Sequence, residues 1–437
     1  MTTPSPAGLG VGAPLPPLLD LAKGHPDPTL LPRKALAEAC ANAADSFREG
    51  ATSGLPYGSR AAGSSNFLEE LVSFFARQCP GEAPAKLDGL LLTTGVSHGL
   101  DLACGVFAQP GEAVLVEAPS YFLAIGIFKS HNLEVLPVPT DDEGVVIEEI
   151  EKLLDARSPE EPPVRFLYTV PTNNNPKGTT LLSARRRALV KLARQRGFLV
   201  LADEVYHLLD WHPSGERPHR MVCFDEAYTS CQGEPKQGIS DDDDCYSSPS
   251  PAKKMKKADS DSCRKPVVIS MSSFAKIMAP GLRVGWIEAA PALIKKLAAT
   301  GFIVSGGCVT TFASDAILAH TLRSRSADEA LARLVAEYKG RAARLVSSLE
   351  SHGLPPLVKP CGGYFLWVPL GVSATAVLEV AKECHGVTFM IGTRCDASAS
   401  SDSLQCARLC FAWLSGDKLE EAVSRLAKAV AEVSKLG

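Results

Sequence analysis

Apolar runs and helical periodicities alternate along most of this chain. The spacing predicts helices over 33–47, 66–78, 97–107 and 183–196, and short apolar strands over 89–93, 113–116, 164–170, 198–202 and 267–271. Strands in which every neighbour is apolar are those covered on both faces, as in a parallel sheet between helices. The alternation therefore predicts an α/β unit with an open, mostly parallel sheet. From residue 327 the pattern changes to long helices, with strand-like stretches at 363–369 and 407–413 and a final helix over 418–436. That change predicts a second, smaller α+β domain. The expected order is a flexible arm (1–17), an N-terminal part of the small domain (18–50), a large domain (51–300) and the rest of the small domain (301–437).

One stretch, 229–264, follows neither pattern. It holds Asp241, Asp242, Asp243 and Asp244, then Lys253, Lys254, Lys256 and Lys257. Low hydrophobicity with segregated charge predicts a disordered surface insert. The lysine run Lys253–Lys257 would suit nuclear import, but short basic runs are more often simply solvated. The four aspartates lack the fixed geometry a cation site needs.

Composition removes several function classes. The chain has 437 residues, enough for two cores, and a net charge of −4, so no basic field is available for nucleic acid or an anionic membrane. No apolar run is long enough to cross a bilayer. The first residues carry neither the positive and apolar regions of a signal peptide nor the arginines of a transit peptide. Thirteen cysteines, an odd number without a CxxC pair, suit reduced thiols in the cytoplasm better than disulfides or a metal centre. Gly8, Gly10 and Gly12 follow no strand and open no helix, so they do not form a dinucleotide-binding turn. Ser97 and His98 are neighbours without a carboxylate partner, which makes a hydrolase triad a poor reading.

The chemistry gathers where predicted strands end. Ser273 and Lys276 follow the apolar run 267–271, and Phe274, Ile277 and Met278 surround the lysine with apolar bulk. Desolvation lowers an amine's pKa and frees it as a nucleophile toward an aldehyde. Arg283, seven residues on and flanked by Gly281 and Gly285, offers a fork suited to a phosphate. Asp203 ends the run 198–202, where doubly wound sheets bind ligands, and can pair with a protonated pyridine nitrogen. Tyr206 lies three residues further, and Asn175 follows the run 164–170 at the same end of the sheet. Thr94, Gly95, Val96 and Ser97 precede a helix whose first N–H groups would hold a phosphate. Tyr121 can stack on a planar ring.

Taken together, these residues resemble the fold-type I, class I/II aminotransferases, enzymes that depend on pyridoxal 5'-phosphate (PLP). The segment from Lys23-Gly24-His25-Pro26-Asp27-Pro28 to Leu55-Pro56-Tyr57-Gly58 looks most like a branch related to 2-aminoadipate transaminases. The resemblance covers residues 21–436 apart from the insert. It implies a large PLP-binding domain with a smaller domain beside it, and transfer of an amino group between an L-amino acid and a 2-oxo acid by a Schiff-base ping-pong mechanism. It also implies roles. Lys276 would carry the cofactor as a Schiff base and move the α-proton, Asp203 would pair with the ring nitrogen, and Tyr206 and Asn175 would bond the ring oxygen. Val96 and Ser97 through their backbone, with Ser273 and Arg283, would hold the phosphate. Tyr121 would stack on the ring, Arg408 would grip the substrate α-carboxylate, and Gly24 and Asn175 would line the substrate. Tyr57 would reach the phosphate of a neighbouring subunit, which implies a homodimer with shared sites.

The chain departs from the family's pattern at Ala275, at Val96 and across Gly392-Thr393-Arg394-Cys395-Asp396, so substrate preference is open. A lyase acting on β-substituted amino acids would use the same residues. A non-catalytic regulatory module on the same fold is the other alternative, and the full set of site residues argues against it.

Overall fold

The computed structural model describes residues 16–52, 54–57, 62–212, 218–230, 265–306, 311–398, 400 and 402–436. The arm, except for Pro16 and Pro17, and the insert, except for Thr229 and Ser230, lie outside them. The main sheet has eight strands in the spatial order Leu90–Thr93, Gly285–Ala289, Val268–Ser273, Leu199–Asp203, Val164–Thr169, Ala113–Ala118, Glu134–Asp141 and Gly144–Val145. From Val268–Ser273 to Glu134–Asp141 the neighbours are parallel, and Gly285–Ala289 and Gly144–Val145 run against them. The mostly parallel sheet expected from the apolar runs is present.

Burial explains why those runs are unbroken. Val114, Val116, Phe166, Tyr168, Leu201, Ile269 and Met271 enter one core. Their neighbours Leu115, Leu167, Val200, Ala202 and Val268 enter the other. Successive side chains point to opposite faces of a strand, so a sheet with a core on each face needs apolar residues at every position. Helices supply the covers. On Ser65–Gln78 the buried residues Phe67, Leu68, Leu71, Phe74 and Phe75 form one stripe at helical spacing.

Three strands of this sheet escaped the apolar pattern, Glu134–Asp141, Gly144–Val145 and Gly285–Ala289. Gly285–Ala289 contains Glu288, which is buried because Arg220 Nε donates to it at 2.9 Å and the Tyr228 hydroxyl at 2.5 Å. A paired buried charge interrupts the run that marks a strand. A three-stranded antiparallel sheet combines Phe365–Pro369, Cys406–Cys410 and Met390–Ile391. The long helices Ser326–Ser351 and Gly416–Ser434 accompany it. Leu19–Asp20 pairs in parallel with Val387–Thr388, which anchors the chain just before residues 22–26 cross the site. Among the described residues no helix is long and apolar enough to cross a membrane.

Candidate active site

The carboxyl ends of the parallel strands open into a cavity of about 530 Å³, closed from the other side by Phe365, Met390, Arg408 and the segment 20–26. Sheets of this kind leave unpaired loop ends at that edge, which is where ligands bind.

Asp203 is the last residue of Leu199–Asp203 and lies at the cavity floor. The Tyr168 hydroxyl donates to its Oδ2 at 2.9 Å and the Val205 N–H to its Oδ1 at 3.4 Å. Burial pushes its carboxyl up to about 6, against those two bonds and the charge of Lys276. A buried carboxylate held by neutral donors gains most from a cationic partner, and a protonated pyridine supplies one.

Lys276 stands in the turn that leaves Val268–Ser273. Its Nζ donates to the Gly24 carbonyl at 2.9 Å, and the Tyr364 hydroxyl fixes its backbone by donating to its carbonyl at 2.8 Å. Burial pushes the ammonium down to about 8, and Arg408 and Arg283 act in the same direction, while Cys410 and Asp203 oppose them.

At one end the helix Val96–Phe107 presents its first N–H groups without a side-chain cap. Arg283 lies opposite, its guanidinium held by the carbonyls of Thr94 at 2.8 Å and Pro280 at 3.0 Å. Its backbone φ is +53°, a left-handed conformation that non-glycine residues adopt at a cost. Gly95 is required twice here, by its φ of +104° and because a Cβ would come within 2.9 Å of the Arg283 Nη2. A helix N-terminus, Ser273 and a guanidinium around one end of a cavity make an anion cradle.

Arg408 supplies a second one. It is 3% exposed, its Nη1 donates to Asn175 Oδ1 at 3.0 Å and its Nη2 to the Ala22 carbonyl at 2.7 Å. The guanidinium lies 4.1 Å from the centre of the Phe365 ring. Its Nε is buried without an acceptor. An orphaned donor costs about 1–3 kcal/mol, which a bound carboxylate would return. Gly24 passes so close that a Cβ would meet Phe365 at 2.7 Å.

Of the residues expected from the sequence, Gly24, Val96, Ser97, Tyr121, Asn175, Asp203, Tyr206, Ser273, Lys276, Arg283 and Arg408 all line this one cavity. Tyr57 does not. It is 85% exposed and packs beside Gly306, whose Cβ, if present, would touch its ring at 2.7 Å. His98, next to Ser97, accepts the Thr94 N–H at 3.1 Å and packs edge-on against Phe302, so it has no nucleophile to activate. Among the described residues Cys79, Glu82 and His207 bring metal-ligand atoms within 4.8 Å, but Glu82 is already paired with His207 at 2.9 Å and Arg220 at 3.1 Å.

Several site residues left no clear trace in the sequence. Tyr168 reads as one more residue of the apolar run 164–170, and Glu117 falls just past the expected strand 113–116, in a strand that runs on to Ala118. Phe365 and Tyr364 read as core. Lys23 and His25, which line the cavity, lie in a loop without periodicity and enter only as part of the segment that resembles the family.

A lysine of lowered pKa, a buried carboxylate and two guanidinium-bearing ends in one cavity suit an enzyme that acts on amino acids through an aldehyde cofactor with a phosphate tail. The aminotransferase class I and II family matches residues 17–426. The chain is 31% identical over 356 residues to aromatic-amino-acid aminotransferase 1 of Thermococcus litoralis, covering 80% of this chain and 74% of the relative. It is 30% identical over 421 residues to 2-aminoadipate transaminase of Thermus thermophilus, covering 95% and 90%. The crystal structure of a multiple substrate aminotransferase from Thermococcus profundus superposes with a TM-score of 0.77 at 27% identity, covering 96% of this chain and 93% of that one. An α-aminoadipate aminotransferase from Thermus thermophilus, complexed with N-(5'-phosphopyridoxyl)-L-leucine, gives 0.74 at 27% identity, covering 96% and 94%. This chain belongs to the class I and II aminotransferases; it is a PLP-dependent aminotransferase of fold type I.

Proposed function

We propose that transfer of an amino group between an L-amino acid and a 2-oxo acid is carried out in this cavity, with Lys276 as the catalytic residue. The observation that carries the reading is Lys276, its amine lowered to about 8, in the same cavity as two separate anion cradles. PLP, when bound, supplies an aldehyde carbon and an electron-poor ring that accepts the electron pair left by the departing α-proton. The chain's own residues do the rest. Asp203 would hold a positive charge on the ring nitrogen, and Asn175 and Tyr206 would bond the ring oxygen. Arg283, Ser273 and the N–H groups of Val96 and Ser97 would hold the phosphate, and Tyr121 would stack on the ring. Arg408 fixes the α-carboxylate beside Gly24, which orients the α-proton toward Lys276 Nζ. That nitrogen takes the proton and returns one as general base and then acid. With Nζ donating to the Gly24 carbonyl and its backbone carbonyl accepting from Tyr364, Lys276 is anchored at both ends of its side chain.

A half-reaction tests this directly. Mixing the pure protein with an L-amino acid should bleach its visible absorbance and release one 2-oxo acid per site, with the nitrogen kept on the protein. Release of free ammonia instead would make the chain a lyase.

We also propose a homodimer with shared sites in which Tyr57 serves the partner's phosphate cradle. Tyr57 lies outside its own cavity, and Leu55, Phe302, Val304 and Phe312 are likewise 47–65% exposed. Thr311 donates to the carbonyls of Gly54 and Pro56, so these apolar side chains fall in adjoining segments. An apolar patch of this kind favours a partner surface. In a one-to-one mixture of Tyr57→Ala and Lys276→Ala chains, exchange should regenerate about a quarter of the intact sites, because half the dimers are mixed and each has one complete site. Activity no greater than the mean of the two variants would count against shared sites. We place the protein in the cytoplasm, supported by nine described cysteines that are all free thiols; cell fractionation checks it.

A further inference from the structure

Glu117 is a buried acid that no step above uses. It lies on Ala113–Ala118, 2% exposed, beside the strand Val164–Thr169, whose end leads to Asn175. All its polar contacts reach toward that loop. The Thr169 hydroxyl donates to Oε1 at 2.6 Å, while the Val170 N–H at 3.1 Å and the Asn174 amide at 2.8 Å donate to Oε2. Asn174 in turn closes the loop. Its side-chain oxygen accepts the Lys177 N–H at 3.1 Å, its carbonyl accepts the Gly178 N–H at 2.8 Å, and its own N–H donates to the Thr179 carbonyl at 2.8 Å. The next residue is Asn175, whose Oδ1 receives the Arg408 guanidinium at 3.0 Å.

These contacts form one chain from a buried carboxylate to the residue at the substrate end of the cavity. We propose that Glu117 is a positioning residue for the substrate carboxylate: through Asn174 it sets where Asn175 meets Arg408. The proposal rests on the reading of Arg408 as the carboxylate site. Loops usually tolerate small shifts, but here the Nη1 bond decides which edge of the guanidinium faces the cavity. A misplaced Asn175 frees Nη1 to turn, and the edge carrying Nε is then no longer presented to the carboxylate.

The nature of the contacts separates positioning from charge. Three donors meet the two oxygens, so a glutamine can replace the acid. Its amide oxygen would take the Val170 and Asn174 donors, and its NH2 would donate to the Thr169 hydroxyl, which can turn to accept. An alanine at 117 leaves all three donors without an acceptor.

The experiment measures the dissociation constant of hexanoate, a carboxylic acid with no amine to react, by calorimetry on the PLP-loaded enzyme. The variants are Glu117→Gln, Glu117→Ala, Asn174→Ala, Arg408→Ala and the Asn174→Ala, Arg408→Ala double. Glu117→Ala removes the acid and leaves the Lys177 N–H bonded to Asn174. It should weaken hexanoate as much as Asn174→Ala, and a folded Glu117→Ala that binds like the parent overturns the proposal. Asn174→Ala, which also loses that loop bond, probes the same chain if Glu117→Ala fails to fold. Asn174→Ala should weaken hexanoate about tenfold, while Glu117→Gln stays within about twofold of the parent. In the Arg408→Ala background the Asn174 change should cost less than about twofold, because two residues acting through one contact are not additive. The KM for an amino-acid substrate should follow hexanoate, with kcat changing less. An equal loss in both backgrounds, or a parent-like Asn174→Ala, overturns the proposal, as does a Glu117→Gln that binds hexanoate no better than Asn174→Ala. If Arg408→Ala alone leaves hexanoate binding unchanged, the Arg408 reading itself has failed, and the two failures are told apart.

Discussion

Lys276→Ala is expected to lower turnover by about 10⁴-fold or more, because general acid–base catalysis by one positioned group contributes roughly 10²–10⁴-fold and the covalent anchor is lost as well. The variant should remain folded and still bind PLP, since the phosphate cradle and Asp203 do not depend on the amine. Borohydride treatment followed by peptide mapping should label Lys276 in the parent and no lysine in the variant. A label on another lysine would move the catalytic role there. The pH dependence of cofactor loading gives a second check. Burial lowers the Lys276 amine from 10.5 to about 8, and only the neutral amine attacks an aldehyde. At pH 7 roughly 300 times more of it is neutral than for an ordinary lysine. Loading of the cofactor-free protein should therefore rise with pH and level off above about 8, whereas an unshifted lysine would still be accelerating at pH 10. The unfolded chain keeps this proton up to about pH 10.5 and the folded one only to about 8. Raising the pH across that window therefore stabilises the cofactor-free fold.

Residues whose signal was local were legible from sequence. Asp203 follows an unbroken apolar run and Lys276 one interrupted only by Ser270, and ligands gather at the carboxyl ends of parallel strands, where both residues lie. Arg408 was different. Nothing within its own strand marks it, and only resemblance to a known family singled it out. Pairings between distant segments left no trace at all. Leu19–Asp20 meets Val387–Thr388, and that contact carries Ala22 and Gly24 to Arg408 and Lys276. Such contacts depend on register and packing, which a one-dimensional pattern does not encode. Buried polar residues were the other loss. Tyr168, Glu117 and Glu288 are stable inside the protein because partners remote in sequence satisfy them, by 35, 52 and 68 positions for the bonds to Asp203, Thr169 and Arg220. Without those partners in view, nothing in the sequence of each strand marks these residues.

Arg408→Ala separates substrate binding from cofactor binding. The residue comes from Cys406–Cys410, far in sequence from Val96, Ser97, Ser273 and Arg283, the residues proposed to hold the phosphate. If it grips the α-carboxylate, the variant should keep PLP bound and linked to Lys276. Losing a charge-assisted bidentate contact in a site that excludes water costs about 2–5 kcal/mol, roughly a 30- to several-thousand-fold fall in kcat/KM. Arg408→Lys should recover little of it. One ammonium cannot bond Asn175 and Ala22 while still offering a second N–H to the ligand, and it would also lose the guanidinium's flat packing on Phe365. An amine without a carboxylate should react equally poorly with parent and variant, because neither offers it anything at this position. The two residues that contact Arg408 predict a further asymmetry. Removing the guanidinium leaves the Ala22 carbonyl and Asn175 Oδ1 short of a donor, so the empty variant should melt below the parent, yet its affinity for PLP should be unchanged within about threefold. A variant that instead loses its cofactor would assign Arg408 to the PLP site, and the carboxylate would then have to be held elsewhere in the cavity.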